Sequence, residues 1–260
     1  HYGTRPLPGF ADEAFADPAF ARFPRGYADT LADRLYDDLH DTGCHLLLAP
    51  YSRLFVDLNR PRDDFEVVAG AVRSERGVFK THFRGGLQIF ARPLSPRAAE
   101  RRLREIYDPY HRSLRAQLRE LRQRHGRVVL IDGHTGSPRK LAGHQVVIGT
   151  RRHVTSRRAL NERLGQCFSD HGFEVSFDVS GYAGGHTVCT YGQPREGVDA
   201  VQIEVNAGLL LNSSFEEFMA ARRAGREIKV HRRNMERLRV CLREVLVEAA
   251  REAEGQIDGS

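Results

Sequence analysis

Val128-Val-Leu-Ile-Asp132 runs straight into Gly133-His-Thr-Gly-Ser-Pro138, and the reading of this stretch decides the fold. A short apolar run with no polar alternation, set between Gly126 and a turn rich in Gly, Ser and Pro, is the pattern of a strand buried on both faces. Upstream, Ser95-Pro96 opens a predicted helix over 97–125 that Gly126 stops. Downstream, the pattern predicts strands at 145–148, 174–179 and 198–205. Helices are predicted at 156–171, 214–225 and 230–254. Toward the beginning, Leu31, Leu35 and Leu39 recur at helical spacing and predict a helix over 30–41, with Gly43 as its stop. Strands are expected at 45–49 and 53–57, short extended pieces between 64 and 95, and a loop with short helical pieces over 1–26. Strands alternating with helices predict an α/β protein. The expectation is one domain over 1–260, with a mainly parallel (mixed) central sheet and helices on both faces. In such sheets chemistry gathers at the carboxyl ends of the strands.

Composition sets limits on function. The formal charge is +6, and the lysines are confined to positions 80, 140 and 229. The arginines interleave with Glu100, Glu105 and Glu120 along the long helix, which reads as an ion-paired solvated face rather than a phosphate-tracking stripe. No nucleic-acid partner is expected, and an anionic small substrate suits the positive balance. The longest apolar runs are too short to span a bilayer, so no membrane partner is expected either. Cys44, Cys167, Cys189 and Cys241 are scattered without C-x-x-C spacing and read as buried hydrophobes in a reducing compartment. No charged-then-apolar leader precedes the first motif, which makes the cytoplasm the expected location. His1-Tyr-Gly-Thr4 reads as the turn after a strand that would precede it.

Three segments carry candidate chemistry. His134 follows a buried strand, where its imidazole can bind a metal. Asp132 can orient that imidazole or support the turn, and a capped strand-to-loop turn is the structural alternative. Asp57-Leu-Asn59-Arg60 sets an amide beside a guanidinium, a fork suited to a carboxylate, or else a buried Asp–Arg pair. In Val201-Gln202-Ile203-Glu204-Val205-Asn206 the alternation puts Gln202, Glu204 and Asn206 on one face. Glu204 on a buried strand is a general base or a structural ion pair.

The order of these motifs resembles the zinc carboxypeptidase superfamily, and within it the N-formylglutamate amidohydrolase family. The resemblance covers nearly the whole chain. It is carried by His1-Tyr-Gly-Thr4, Asp29 ahead of Asp33-Arg-Leu-Tyr36, Asn59-Arg60, Asp132-Gly-His-Thr135, Gly184-Gly-His186 and Gln202-Ile-Glu-Val-Asn206. It implies a carboxypeptidase-like or phosphorylase/hydrolase-like scaffold and one Zn2+ per chain, or another divalent transition metal. The implied ligands are His1, Asp29 and His134, because Thr4 stands where a carboxypeptidase has an acid. Glu204 is the implied base. Asn59, Arg60, Gly184, Gly185, Thr135, Gln202 and Asn206 are the implied substrate-binding residues. The implied reaction is hydrolysis of a small anionic N-acyl amino acid, N-formyl-L-glutamate first among them, to formate and L-glutamate. Thr135 stands in place of Ser, Gly136 in place of Met and His186 in place of Tyr. His186 reads as a donor to the oxyanion or as a pocket wall. Two alternatives stand beside this reading: a metallo-amidase or peptidase on the same scaffold with another substrate, and a non-catalytic basic binding protein. The sequence leaves the oligomeric state open.

Overall fold

The computed structural model describes residues 14–21, 28–83 and 85–254. Along the chain, helix α1 (Ala32–Tyr36) continues as a 3-10 turn (Asp37–Thr42). Hairpin strands β1 (Glu66–Val68) and β2 (Ala71–Arg73) follow, then helix α2 (Pro96–Arg102). A π-helical turn (Leu103–Tyr107) joins α2 to α3 (Asp108–His125). Next come β3 (Val128–Gly136), β4 (Val146–Gly149), α4 (Arg158–Asp170), β5 (Val175–Phe177) and α5 (His186–Tyr191). The last elements are β6 (Val198–Asn206), α6 (Phe215–Arg223) and α7 (Arg232–Glu254). The described residues pack as two compact units. One takes those up to Asp29, Leu48–Ser113 and Glu216–Ile228; the other takes Thr30–Leu47, Leu114–Phe215 and those from Lys229 on. No helix among the described residues is long and apolar enough to cross a membrane.

The second unit holds a four-stranded sheet in the order β3-β6-β4-β5. β3 and β6 are parallel from Val128↔Val198 through Gly136↔Asn206, and β4 runs antiparallel to β6 but parallel to β5. The sheet is therefore mixed, and helices lie on both of its faces. The Tyr36 ring of α1 packs over Gly133 on one face, and α5 is tied to Gln202 on the other. The strand predicted to end at Asp132 runs on through Gly136. Residues 133–136 stay paired with 203–206, so the His134 motif lies in the ladder and not in a turn. α5 went unpredicted because Gly184-Gly185 masks the start of a short helix.

The first unit has two apolar clusters. One gathers Phe20, Leu54, Phe55, Phe83, Ile89 and Phe90; the other surrounds Val78, Phe79 and Leu103. The strands expected at 45–49 and 53–57 do not form. Leu46 and Leu48 are exposed, and Phe55 N–H closes a turn onto the Ser52 carbonyl at 3.0 Å. The physical reason lies in Arg53 and Asp57. Their side chains meet at 2.6 Å, whereas an extended chain would hold such residues roughly 13 Å apart. The long helix forms where expected but widens before Pro109. That proline has no N–H for the Glu105 carbonyl and would clash with it, and the Asp108 N–H instead reaches back to the Leu103 carbonyl.

Buried Asp57 organises this unit. Its Oδ2 receives Arg53 at 2.6 Å and Lys80 at 3.0 Å, with Arg60 at 3.8 Å, while Oδ1 accepts the Asn59 N–H at 3.1 Å. Lys80 also donates to the Gly77 carbonyl. From α3 and the π turn, His111 bonds the Leu58 carbonyl at 3.0 Å and Tyr107 the Arg60 carbonyl at 2.8 Å. Residues 58–60 are thus held by backbone bonds. Burial alone would raise the Asp57 carboxyl, but Arg53 and Lys80 hold it well below the usual carboxylate range. Burial pushes the Lys80 ammonium down to about 8 against the pull of Asp57, with Arg53 and Arg60 adding to the depression. The surplus of cations lowers the Asp57 carboxyl, whereas burial is the larger cause of the Lys80 depression.

Asp57→Asn leaves the Lys80 ammonium without its counter-charge and is expected to destabilise the fold by about 3–5 kcal/mol in urea titrations. Adding Lys80→Met should return part of that loss. The ordinary carboxyl value is 3.8 and the folded one is lower, so the unfolded chain binds more protons in between. The stability Asp57 contributes is therefore present above pH 3.8 and lost as pH falls below it. Asp57→Asn should flatten that acid limb.

Candidate active site

In-register side chains of a parallel strand pair lean to the same face, and alternate residues share it. Asp132 pairs with Gln202, and His134 with Glu204, so these four stand together on one face of the sheet. His134 and Glu204 are 5% and 7% exposed, deep enough that neither is an ordinary surface group. His134 Nε2 lies 3.0 Å from Asp132 Oδ1. Gln202 Nε2 donates to Glu204 Oε1 at 2.8 Å, and Gln202 Oε1 accepts the Gly185 N–H at 2.7 Å. The two bonds fix the orientation of the Gln202 amide and couple the segment before α5 to the carboxylate. A buried carboxylate is costly unless it is hydrogen-bonded, and Gln202 supplies one such bond.

Glycines clear this face. A Cβ on Gly136 would stand 2.4 Å from Leu141 Cδ1 and 3.3 Å from Glu204 Oε2. Gly149 lies opposite Gln202 in the ladder, and a Cβ there would meet the Tyr182 carbonyl at 2.6 Å and Gly184 N at 2.7 Å. The chain at 182–184 therefore lies directly on the sheet beside Gln202. His186 begins α5, half-buried, with its ring nitrogens 3.2 and 3.3 Å from Thr190 Oγ1.

Other expected site residues are placed differently. Thr135 lies on the opposite face, where its hydroxyl donates to the Thr30 carbonyl at 2.8 Å. Asn206 Nδ2 donates to the carbonyls of Leu141 and His144 at 3.0 and 2.8 Å, and its Oδ1 accepts the Gly208 N–H at 2.9 Å. Its amide pins loops together. Asn59 and Arg60 belong to the first unit and are held there as described. Asp29 belongs to the same unit, with Oδ1 3.8 Å from Arg53 Nη1. His1 and the rest of the opening turn lie outside the described residues. No group of three or more His, Cys, Asp or Glu gathers as a metal cage among the described residues. The His134–Asp132 pair does fit a metal ligand, since a carboxylate on one ring nitrogen orients the other toward an ion.

The sequence reading passed over Lys80 as a partner of Asp57. A signal was present: a lysine inside Val78-Phe-Lys-Thr81 is a charge set in an apolar run and needs a buried counter-charge. Tyr36, which donates to the His134 carbonyl at 3.3 Å, had only its place in a motif to mark it.

Gly136→Ala drives a methyl into Leu141 and toward the Glu204 carboxylate. It is expected to lower stability by about 1–3 kcal/mol, as overpacking does. The folded fraction should also lose activity, which turnover corrected for folded protein would read.

A family model described as N-formylglutamate amidohydrolase matches residues 1–211. An N-formylglutamate deformylase of Pseudomonas putida is 35% identical over 181 residues, covering 66% of this chain and 66% of that protein. Its namesake from Pseudomonas aeruginosa is 32% identical over 216 residues, covering 79% of this chain and 77% of that one. Among solved structures, an N-formylglutamate amidohydrolase from Ralstonia eutropha JMP134 superposes with a TM-score of 0.78 at 22% identity. That match covers 100% of this chain and 92% of the other, and at such identity it speaks for the fold. The gene product Atu2144 of Agrobacterium tumefaciens follows at TM-score 0.63 and 15% identity. With most of its length matched by the family model, and with both curated relatives above 30% identity, the chain belongs to the N-formylglutamate amidohydrolase family.

Proposed function

We propose that this chain hydrolyses the amide of N-formyl-L-glutamate, giving formate and L-glutamate. The observation that carries the reading is the register pair His134–Glu204, a buried imidazole and a buried carboxylate side by side, each fixed by its own neighbour. Family membership and the names of the two curated relatives support the substrate.

The reaction adds water to the formyl carbon, breaks the C–N bond and delivers a proton to the departing amine. Glu204 accepts the proton of the water and returns it to the nitrogen. Gln202 holds Oε1, so the carboxylate does not swing between those two tasks. Zinc, or another divalent transition metal, bound by His1, Asp29 and His134 would acidify the water and polarise the acyl carbonyl. Asp132 fixes the His134 ring and sets which nitrogen faces the ligand side. Arg60, with Asn59, binds a substrate carboxylate. Asp57 Oδ2 already holds Arg53 at 2.6 Å and Lys80 at 3.0 Å, so the Arg60 guanidinium at 3.8 Å is loosely held and half-exposed. The backbone at Gly184-Gly185 gives close approach to substrate, and His186 donates to the oxyanion or walls the pocket. Thr135 and Asn206 are left out, since their polar atoms are committed to the fold. Four free cysteines suit a reducing compartment such as the cytoplasm.

A panel of N-formyl, N-acetyl and dipeptide substrates tests the reading, with formate release as the signal. N-formylglutamate is expected to be turned over fastest, with loss on chelation and recovery on adding zinc. Turnover confined to N-acetyl or peptide substrates would move the chain to the amidase or peptidase alternative, and no turnover at all would leave the binding protein. Glu204→Gln should keep metal content while lowering kcat by about 10²–10⁴-fold. His134→Ala should lose the metal. Full activity in Glu204→Gln would remove the proposed base.

A further inference from the structure

Arg151, Arg152 and His153, just beyond β4, all hold positive φ, at 52°, 58° and 63°. Three consecutive residues with side chains in this region are disfavoured, and such strain collects at functional sites. Asp178 holds the bend. Its Oδ1 accepts the Thr150 N–H at 2.7 Å, and its Oδ2 takes the Thr150 hydroxyl and the Arg152 N–H, both at 2.9 Å. Both carboxylate oxygens are engaged by these donors. Arg151 N–H donates to the Ala183 carbonyl at 2.9 Å. Its stem passes against Gly184, where a Cβ would meet Arg151 Cγ at 3.2 Å and Cδ at 3.3 Å. From there the path is short: Gly185 bonds Gln202, and Gln202 bonds Glu204. Among the described residues no acid pairs with the Arg151 guanidinium. An arginine on a strained bend, beside the face that holds the proposed base and with no counter-charge among the described residues, is placed for an external anion.

We propose that Arg151 binds the side-chain carboxylate of the substrate, an inference that rests on the deformylase reading above. N-formylglutamate carries two carboxylates, and Arg151 belongs to the same unit as Glu204. Gly149, two residues before Arg151, is already level with Gln202, about 7 Å along β6 from Glu204. Arg151 therefore suits the carboxylate farther from the scissile nitrogen. A guanidinium takes it bidentately, which selects a dicarboxylic amino acid over its amide.

Arg151→Gly tests this cleanly, because glycine accepts the positive φ and only the side chain is removed. Its melting temperature should equal or exceed that of the wild type. On N-formylglutamate, kcat/KM should fall about 10- to 100-fold through KM, the loss of one charge-assisted pair. On N-formylglutamine, which keeps the α-carboxylate and lacks the other, it should change less than about 3-fold by the same reasoning. Arg152→Gly serves as the control and should behave as wild type on both. Equal losses on the two substrates, or none on either, would overturn the proposal. If the wild type turns over no formyl compound, the deformylase reading fails separately. Titration calorimetry with N-formylglutamate then decides: weaker binding to Arg151→Gly than to wild type keeps the carboxylate site, and equal or undetectable binding to both removes it.

Discussion

The parallel ladder between β3 and β6 is the constraint on which the site depends. Side chains alternate along each strand, so a slip of one residue would turn His134 or Glu204 to the opposite face. The ladder runs unbroken from Val128↔Val198 to Gly136↔Asn206, and its length pins the register. The apolar residues of β6 do the pinning: Ala200, Val201, Ile203 and Val205 are fully buried. The geometry of the candidate site thus comes from a hydrophobic pattern that contains none of its polar residues.

The second dependency is electrostatic and lies in the first unit. Asp57 draws Arg53 and Lys80 inward and leaves Arg60 at a longer distance. One carboxylate facing several cations produces a local positive surplus without exposing all of them to water. The surplus is directional because backbone bonds from Tyr107 and His111 hold residues 58–60. Both of those aromatic groups come from the stretch of helix around the π turn. The irregularity forced by Pro109 is therefore adjacent to the residues that brace the fork.

Much of this was legible in the chain. The sheet strands at 128 and 146 stood out as short apolar runs, those at 175 and 198 by their alternation of apolar and polar residues, and the long helices because their apolar periodicity is sustained. What failed to show were cases where a side chain overrides local pattern. Residues 53–57 look like a strand, yet the Arg53–Asp57 bond requires a turn, and no propensity encodes that. Residues 133–136 look like a turn, yet pairing with β6 extends the strand through both glycines. Gln202 and Glu204 were correctly put on one face from alternation alone. Thr135 and Asn206 were read as substrate-binding from their motifs, and only the folded structure shows their polar atoms bonded to Thr30, Leu141, His144 and Gly208.

The placement of polarity within the sheet separates a functional reading from a structural one. At the amino end of β6, buried Asp199 is met by Arg157 and Arg127 at 2.8 and 3.2 Å, and Arg157 N–H adds a further bond at 2.7 Å. That cluster is charge-compensated and closes a loop, as a structural ion pair does. Toward the carboxyl end the same strand carries Gln202 and Glu204, where Gln202 Nε2 donates to Glu204 Oε1 at 2.8 Å and Gln202 Oε1 accepts the Gly185 N–H at 2.7 Å. A buried carboxylate hydrogen-bonded to an amide, beside an imidazole that lies 3.0 Å from Asp132, is an arrangement that suits the proposed base. One strand thus carries an ion-paired cluster toward its amino end and the candidate base toward its carboxyl end.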